Sequence, residues 1–174
     1  AKPMVVTPMQ EVGSYGGTWR SALKGTYDTG WIRRTVGYQP LGAYDYEWTE
    51  VVPNVAERFE VNDDATEFTF YLREGHKWSD GEPFTAEDLK FAVDVMSSPA
   101  YGGRKANGFE GSKMRGEVID PLTFKLTLSD PNGLFLERMA SVEGQFIVNA
   151  AKHYCGKYFA DVSPDANETA KAAG

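Results

Sequence analysis

Residues 55–73, with the sequence VAERFEVNDDATEFTFYLR, contain two alternating stretches separated by a polar turn. Apolar side chains occupy every second position on either side of that turn: Phe59, Val61, Phe68, Phe70 and Leu72. Such alternation is typical of strands with one buried face. The intervening run Asn62-Asp63-Asp64 is typical of a tight connection between two strands. The stretch therefore predicts a β-hairpin.

A second hairpin is predicted for residues 117–128. Its strands are joined by the Asp120-Pro121 turn. After the turn, three apolar residues alternate with Thr and Lys: Phe124, Leu126 and Leu128. We expect the two hairpins to share one sheet, because each has a single apolar face to bury.

A helix is predicted over residues 85–97, between the two hairpins. Thr85 stands at the N-cap position, and Glu87 and Asp88 complement the positive end of the helix. Four residues at i, i+3, i+4 and i+7 form one apolar stripe: Leu89, Ala92, Val93 and Met96. We expect this stripe to cover the shared sheet. The predicted fold class is mixed α/β of the α+β type.

The composition of the chain excludes several classes of function. The chain has 174 residues, 41% hydrophobic and 25% charged, with a net charge of -7. An acidic surface argues against a nucleic-acid partner. Cys155 is the single cysteine, and His76 and His153 are far apart, so neither a disulfide nor a metal site is predicted. No cofactor motif was found, and none is expected.

A hydrolytic enzyme is one functional hypothesis for this chain. Paired acids can hydrolyse a glycosidic bond, and four acids are close in sequence: Asp80, Glu82, Glu87 and Asp88. Turn formation and helix capping already explain all four. The sequence contains no nucleophile-elbow, zinc-protease or phosphate-loop motif. We therefore predict that the protein is not an enzyme.

The rest of the chain gives weaker patterns. A short strand is predicted over 18–23, and residues 24–48 form an aromatic loop that can either pack internally or line a ligand cleft. Short helices are predicted over 134–139 and 150–159. After Asp161 the chain becomes small and polar and is typical of a linker.

Residues 51–95, VVPNVAERFEVNDDATEFTFYLREGHKWSDGEPFTAEDLKFAVDV, carry a specific family pattern. Its elements are Pro53, Ala56-Glu57, Leu72-Arg73-Glu74-Gly75, Trp78, Asp80-Gly81 and Thr85-Ala86-Glu87-Asp88-Leu89. In combination they resemble the signature region of family 5, the extracellular solute-binding proteins of peptide-type ABC importers. That family includes oligopeptide, dipeptide and nickel binders. The likeness extends over residues 13–140 and includes Gly16-Gly17-Thr18-Trp19.

This resemblance implies part of the first lobe of a type II periplasmic-binding-protein fold. It divides the chain into three parts. Residues 1–50 are an N-terminal part of the lobe with a leader and the aromatic loop, residues 51–160 an inserted small α+β subdomain, and residues 161–174 a linker-like tail. Members of the family are much longer, so we expect the second lobe to be absent from this chain.

The resemblance also implies a function. It predicts the substrate-binding component of an ABC importer, which captures an oligopeptide or another extended solute in the periplasm and delivers it to the membrane permease. The family's ligand contacts carry over to the loop after the first strand and to the segment after the helix: Tyr27, Asp28, Thr29, Trp31 and Tyr101. The lack of a lipobox cysteine near the N-terminus favours a soluble periplasmic form. The alternative is a protein–protein interaction module, or a stand-alone domain, with no transport ligand.

Overall fold

The computed structural model describes residues 39–99, 101 and 113–173, together with residues 11, 13–18, 20, 22, 24 and 25. Within this last group every residue is exposed, and none of those described is in a helix or strand. The strand predicted over 18–23 is therefore not formed at positions 18, 20 and 22. Positions 19, 21 and 23 lie outside the described residues.

In the described part of the chain, four strands precede one long helix, two strands follow it, and the C-terminal part is helical. The strands are β1 (Gly42–Tyr44), β2 (Val51–Pro53), β3 (Ala56–Val61), β4 (Glu67–Leu72), β5 (Met114–Asp120) and β6 (Thr123–Leu128). The helices are α1 (Ala86–Ser97), α2 (Phe135–Met139), α3 (Gln145–Val148), α4 (Lys152–Cys155) and α5 (Ala166–Ala173). Two 3-10 turns, Val142–Gly144 and Gly156–Tyr158, connect the short C-terminal helices.

The two predicted hairpins share one antiparallel sheet in the order β3-β4-β6-β5. Strands β4 and β6 pair at its centre, so Phe70 lies opposite both Phe59 and Phe124. The β3–β4 turn is held by the side chain of Asn62, whose Oδ1 accepts from the backbone N–H groups of Thr66 and Glu67 at 2.9 and 2.8 Å. Strands β1 and β2 form a separate two-stranded hairpin.

Helix α1 covers one face of the four-stranded sheet. All four residues of its predicted stripe are buried, with exposures between 0 and 3%. The helix approaches closely at Gly116, where an added Cβ would lie 2.9 Å from the Phe124 ring and 3.5 Å from Val93 Cβ. Burying a side chain of the size of Leu89 contributes about 1.5–3 kcal/mol. The predicted α+β class, with two hairpins in one sheet covered by a helix, is confirmed.

The C-terminal part of the chain differs in detail from the sequence-based expectation. Helix α2 forms as predicted, but the helix expected over 150–159 is split into α4 and a 3-10 turn that begins at Gly156. The tail from residue 161, expected to be a linker, contains α5, of which only Ala166 is buried among its described residues. Ala, Glu and Lys favour helix without needing an apolar stripe. The division of the chain into three parts stays a prediction.

No helix in the part of the chain that the structure describes is long and apolar enough to cross a membrane.

Candidate ligand-contact groove

An apolar groove of about 320 Å³ lies beside the C-terminal half of α1. Five aromatic rings line it: Phe91, Tyr101, Phe146, Tyr158 and Phe159. Met96 and Cys155 add sulfur-containing side chains to its wall. Concave, mostly apolar surfaces of this kind are the usual form of small-molecule sites.

One wall of the groove comes from a second apolar line on α1. Phe91 and Val95, separated by one helical turn, line the groove together with Ala92 and Met96 of the main stripe. The Phe91 ring meets that of Phe159 edge to face, with centroids 6.1 Å apart. After the helix ends, the backbone N–H of Tyr101 donates to the carbonyl of Ser98 at 3.2 Å, and this turn brings Tyr101 back to the groove.

The opposite wall, from residue 146 to 159, is attached to the start of α1 through one buried carboxylate. Asp88 is 4% exposed and makes three hydrogen bonds. Its Oδ2 accepts from the backbone N–H of Thr85 at 2.9 Å and from the indole N–H of Trp78 at 3.2 Å. Its Oδ1 accepts from the backbone N–H of Lys152 at 2.8 Å. One residue thus caps the helix and positions α4.

Two exposed ion pairs reinforce that attachment. Lys152 Nζ lies 2.7 Å from a carboxylate oxygen of Glu87, and His153 Nε2 lies 2.7 Å from Asp80 Oδ2. The hydrogen bond to Asp80 raises the pKa of His153, and the same contact lowers the pKa of Asp80. Both pairs join residues more than 60 positions apart, as their separations of 65 and 73 show.

These contacts bear on the enzyme hypothesis. Three of the four acids that could form a catalytic pair are engaged: Asp88 in the helix cap, Asp80 with His153 and Glu87 with Lys152. Each contact is explained by the local fold. The arrangement therefore gives no support to hydrolysis.

Of the five predicted ligand-contact residues, the structure describes one. Tyr101 is half-buried and lines the groove. Tyr27, Asp28, Thr29 and Trp31 lie outside the described residues. Sequence patterns did not identify Phe91, Phe146 and Phe159 as groove residues. Phe91 with Val95, an apolar pair at i and i+4 beside the main stripe, is the signal that could have revealed one wall.

Comparison with solved structures defines the class of this fold. The chain superposes on an oligopeptide-binding protein OppA with a TM-score of 0.76 and 31% identity, over 94% of this chain and 26% of that one. The described fold is that of part of a lobe of an OppA-type periplasmic binding protein.

Sequence comparison gives the family. The profile of bacterial extracellular solute-binding proteins, family 5 Middle, matches residues 50–171. The glutathione-binding protein GsiB of Escherichia coli K12 is 36% identical over 121 residues, 69% of this chain and 23% of its own length. A putative ABC transporter peptide-binding protein of Brucella ovis is 32% identical over 108 residues, 60% of this chain and 20% of its own.

The chain belongs to the family 5 extracellular solute-binding proteins of ABC importers. It spans about a quarter of the length of the relatives that it matches, between 20% and 26%. The relatives named above are all described as binding proteins.

Proposed function

We propose that this chain contributes to the capture of an oligopeptide, or a similarly extended solute, outside the cytoplasmic membrane, and to its delivery to an ABC permease. The observation that carries the proposal is the superposition on an oligopeptide-binding protein over 94% of the chain. For a Gram-negative source the compartment would be the periplasm. The proposed contact residues are Tyr101, with Tyr27, Asp28, Thr29 and Trp31 from the aromatic loop.

The groove at Tyr101 supports a peptide-like ligand. Its walls are rings and aliphatic side chains, with Asn149 as a polar group at its edge. Such a surface can cover a ligand side chain, whereas the polar backbone of an extended ligand needs amide and carbonyl partners from elsewhere. The two relatives named above are described as glutathione-binding and peptide-binding, and both ligand classes contain peptide bonds.

The single cysteine offers a direct test, because Cys155 lines the groove and any thiol alkylation reports on that one position. We would measure the rate of iodoacetamide modification with increasing tetra-alanine, S-methylglutathione or maltotetraose. S-Methylglutathione is used because a free thiol would consume the reagent. A ligand present at ten times its Kd leaves roughly one site in eleven free and should slow modification about tenfold.

Two variants show whether a peptide protects Cys155 by binding in the groove. Tyr101→Ala should weaken protection by a peptide, because a groove ring is lost. Tyr46→Ala removes another exposed ring that does not line the groove and should leave protection unchanged. Protection by maltotetraose alone would overturn the peptide class. Absence of protection by all three would overturn the groove as the contact site.

A further inference from the structure

The β1–β2 hairpin ends in an exposed aromatic tip, which we define as residues 44–50. Trp48 is 70% exposed and Tyr46 is 48% exposed. Large rings are among the side chains that gain most free energy from burial. Two of them exposed on one turn therefore indicate an interaction surface. None of the tip residues lines the groove at Tyr101. The tip is therefore a separate surface, and the inference below does not depend on the proposed function.

The tip is rigid because Asp45 holds it from inside. Its carboxylate accepts from the backbone N–H of Thr49 at 2.7 Å, from the Thr49 hydroxyl at 2.7 Å and from the backbone N–H of Glu50 at 3.2 Å. The backbone N–H of Trp48 donates to the carbonyl of Asp45 at 3.1 Å. The tip thus presents its rings in one arrangement, which lowers the entropy lost on binding.

Trp48 has a positive φ of 60°, in the left-handed region where glycine or asparagine is the usual residue. A bulky ring at such a position is unfavourable for the backbone. The indole is stacked on Tyr44, with centroids 5.1 Å apart and planes at 24°. Strained residues of this kind concentrate at binding sites, because folding alone would favour a different residue there.

The charged side chains of residues 39–57 are all acidic. Glu47 and Glu50 are exposed, and no ion pair joins either of them to another residue that the structure describes. No Lys, Arg or His occurs between residues 39 and 57. An exposed indole flanked by two carboxylates attracts a cation, and guanidinium groups both stack on rings and pair with carboxylates.

We propose that the aromatic tip docks onto a basic protein surface by receiving an arginine side chain over Trp48, with Glu47 and Glu50 pairing to its charge. The same carboxylates disfavour approach to an anionic lipid surface. A sugar would use the ring but would gain nothing from the net charge of the two glutamates. The arginine contact should therefore weaken with added salt, whereas stacking on a neutral ligand should not.

The test follows the indole N–H signals of the 174-residue chain by nuclear magnetic resonance. The sequence has four tryptophans, and Trp48→Gly identifies the signal of Trp48 by removing it. The probe is the peptide acetyl-Gly-Arg-Gly-Arg-Gly-amide, and the matched control replaces both arginines with neutral citrulline. We expect the Trp48 signal to move with the arginine peptide, and an affinity about fivefold lower for the citrulline peptide.

Two variants test whether the response depends on the Trp48 ring. Trp48→Gly relieves the backbone at φ 60°, so it should fold and yet lose the response of the tip amides. Ala65→Gly relieves the other described non-glycine residue with positive φ, at 52°, and should leave binding unchanged. Equal response to the citrulline peptide would overturn the proposal. So would a response of Trp48 to maltotriose or to phosphatidylcholine vesicles, but not to the arginine peptide.

Discussion

The side chain of Asp88 accepts a hydrogen bond from the backbone N–H of Lys152 at 2.8 Å, across 64 positions of sequence. The same carboxylate holds the N-terminus of α1 and the Trp78 indole. A single buried group therefore joins three segments that the sheet does not connect directly. The proposed groove depends on this joint, because one of its walls belongs to α1 and the other to the segment from Phe146 to Phe159.

Asp88→Asn should destabilise the protein by about 2–3 kcal/mol, because an amide cannot accept at both of its positions and one donor would face another. The measurement is urea unfolding of the 174-residue chain. Asp94→Asn is the matched control on the same helix. Asp94 is exposed and pairs with Lys90 at the helix surface, so the loss of this pair should cost about 0.5 kcal/mol or less. Equal effects of both substitutions would contradict the assigned role of Asp88.

The fold of the central region was predictable because its patterns are local. Alternation in β4 and β6 and the stripe on α1 each report which face is buried, and these faces determine how the sheet and helix pack. In β3 the alternation is a weaker guide, because Val61 at the end of the strand is 40% exposed. The joint at Asp88 was not predictable. Its helix-capping role follows from its position three residues after Thr85. The sequence contains no signal that a backbone N–H 64 residues later donates a further hydrogen bond to the same carboxylate.

The candidate site was predictable only through family resemblance. Tyr101 was expected because the family resemblance places a ligand contact in the segment after α1, whereas Phe146 and Phe159 come from short helices and turns with no clear period. Helix α5 was missed for a different reason. It buries almost nothing and therefore has no apolar stripe, so only the high helix propensity of Ala, Glu and Lys indicates it.

Gly144 is the last residue of the 3-10 turn that connects α2 to α3. A Cβ added there would lie 1.9 Å from the carbonyl oxygen of Met139, so backbone atoms would have to move. Gly144→Ala should therefore destabilise the chain by about 2–4 kcal/mol, measured by chemical denaturation. Gly133→Ala has nothing within 4 Å of the new methyl group and should change stability by about 0.5 kcal/mol or less. A neutral Gly144→Ala would show that the turn has room.

Asp45 is expected to control the shape of the aromatic tip and not the stability of the whole fold. Its pKa is lowered, first by the hydrogen bond from the Thr49 side chain. Asp45→Ala removes three acceptor contacts, so the Trp48 indole signal should move toward its position in an unfolded peptide. The urea midpoint should change little, since the tip is exposed. A loss of global stability comparable to that of Asp88→Asn would contradict this local role.

Stability should depend on pH through the pair of His153 and Asp80. The pKa of His153 is raised, so its contribution is complete below about pH 6.5 and is lost as the pH rises through the raised value. The pKa of Asp80 is lowered, so its contribution is present above about pH 4 and is lost as the pH falls through the lowered value. The pair should therefore stabilise most between about pH 4 and 6.5.

The measurement compares urea midpoints of the wild type and His153→Ala at pH 5.5 and pH 9. We expect the difference to be larger at pH 5.5, because only the protonated imidazole adds charge attraction to the hydrogen bond.

The contribution of His76 to stability changes with pH in the opposite direction from that of His153. Burial, followed by the charge of Arg73, lowers the pKa of His76, so its contribution grows as the pH rises toward about 6.5. His76→Ala should therefore leave the His153-dependent difference intact. A difference of the same size at both pH values would show that His153 stabilises α4 without its charge.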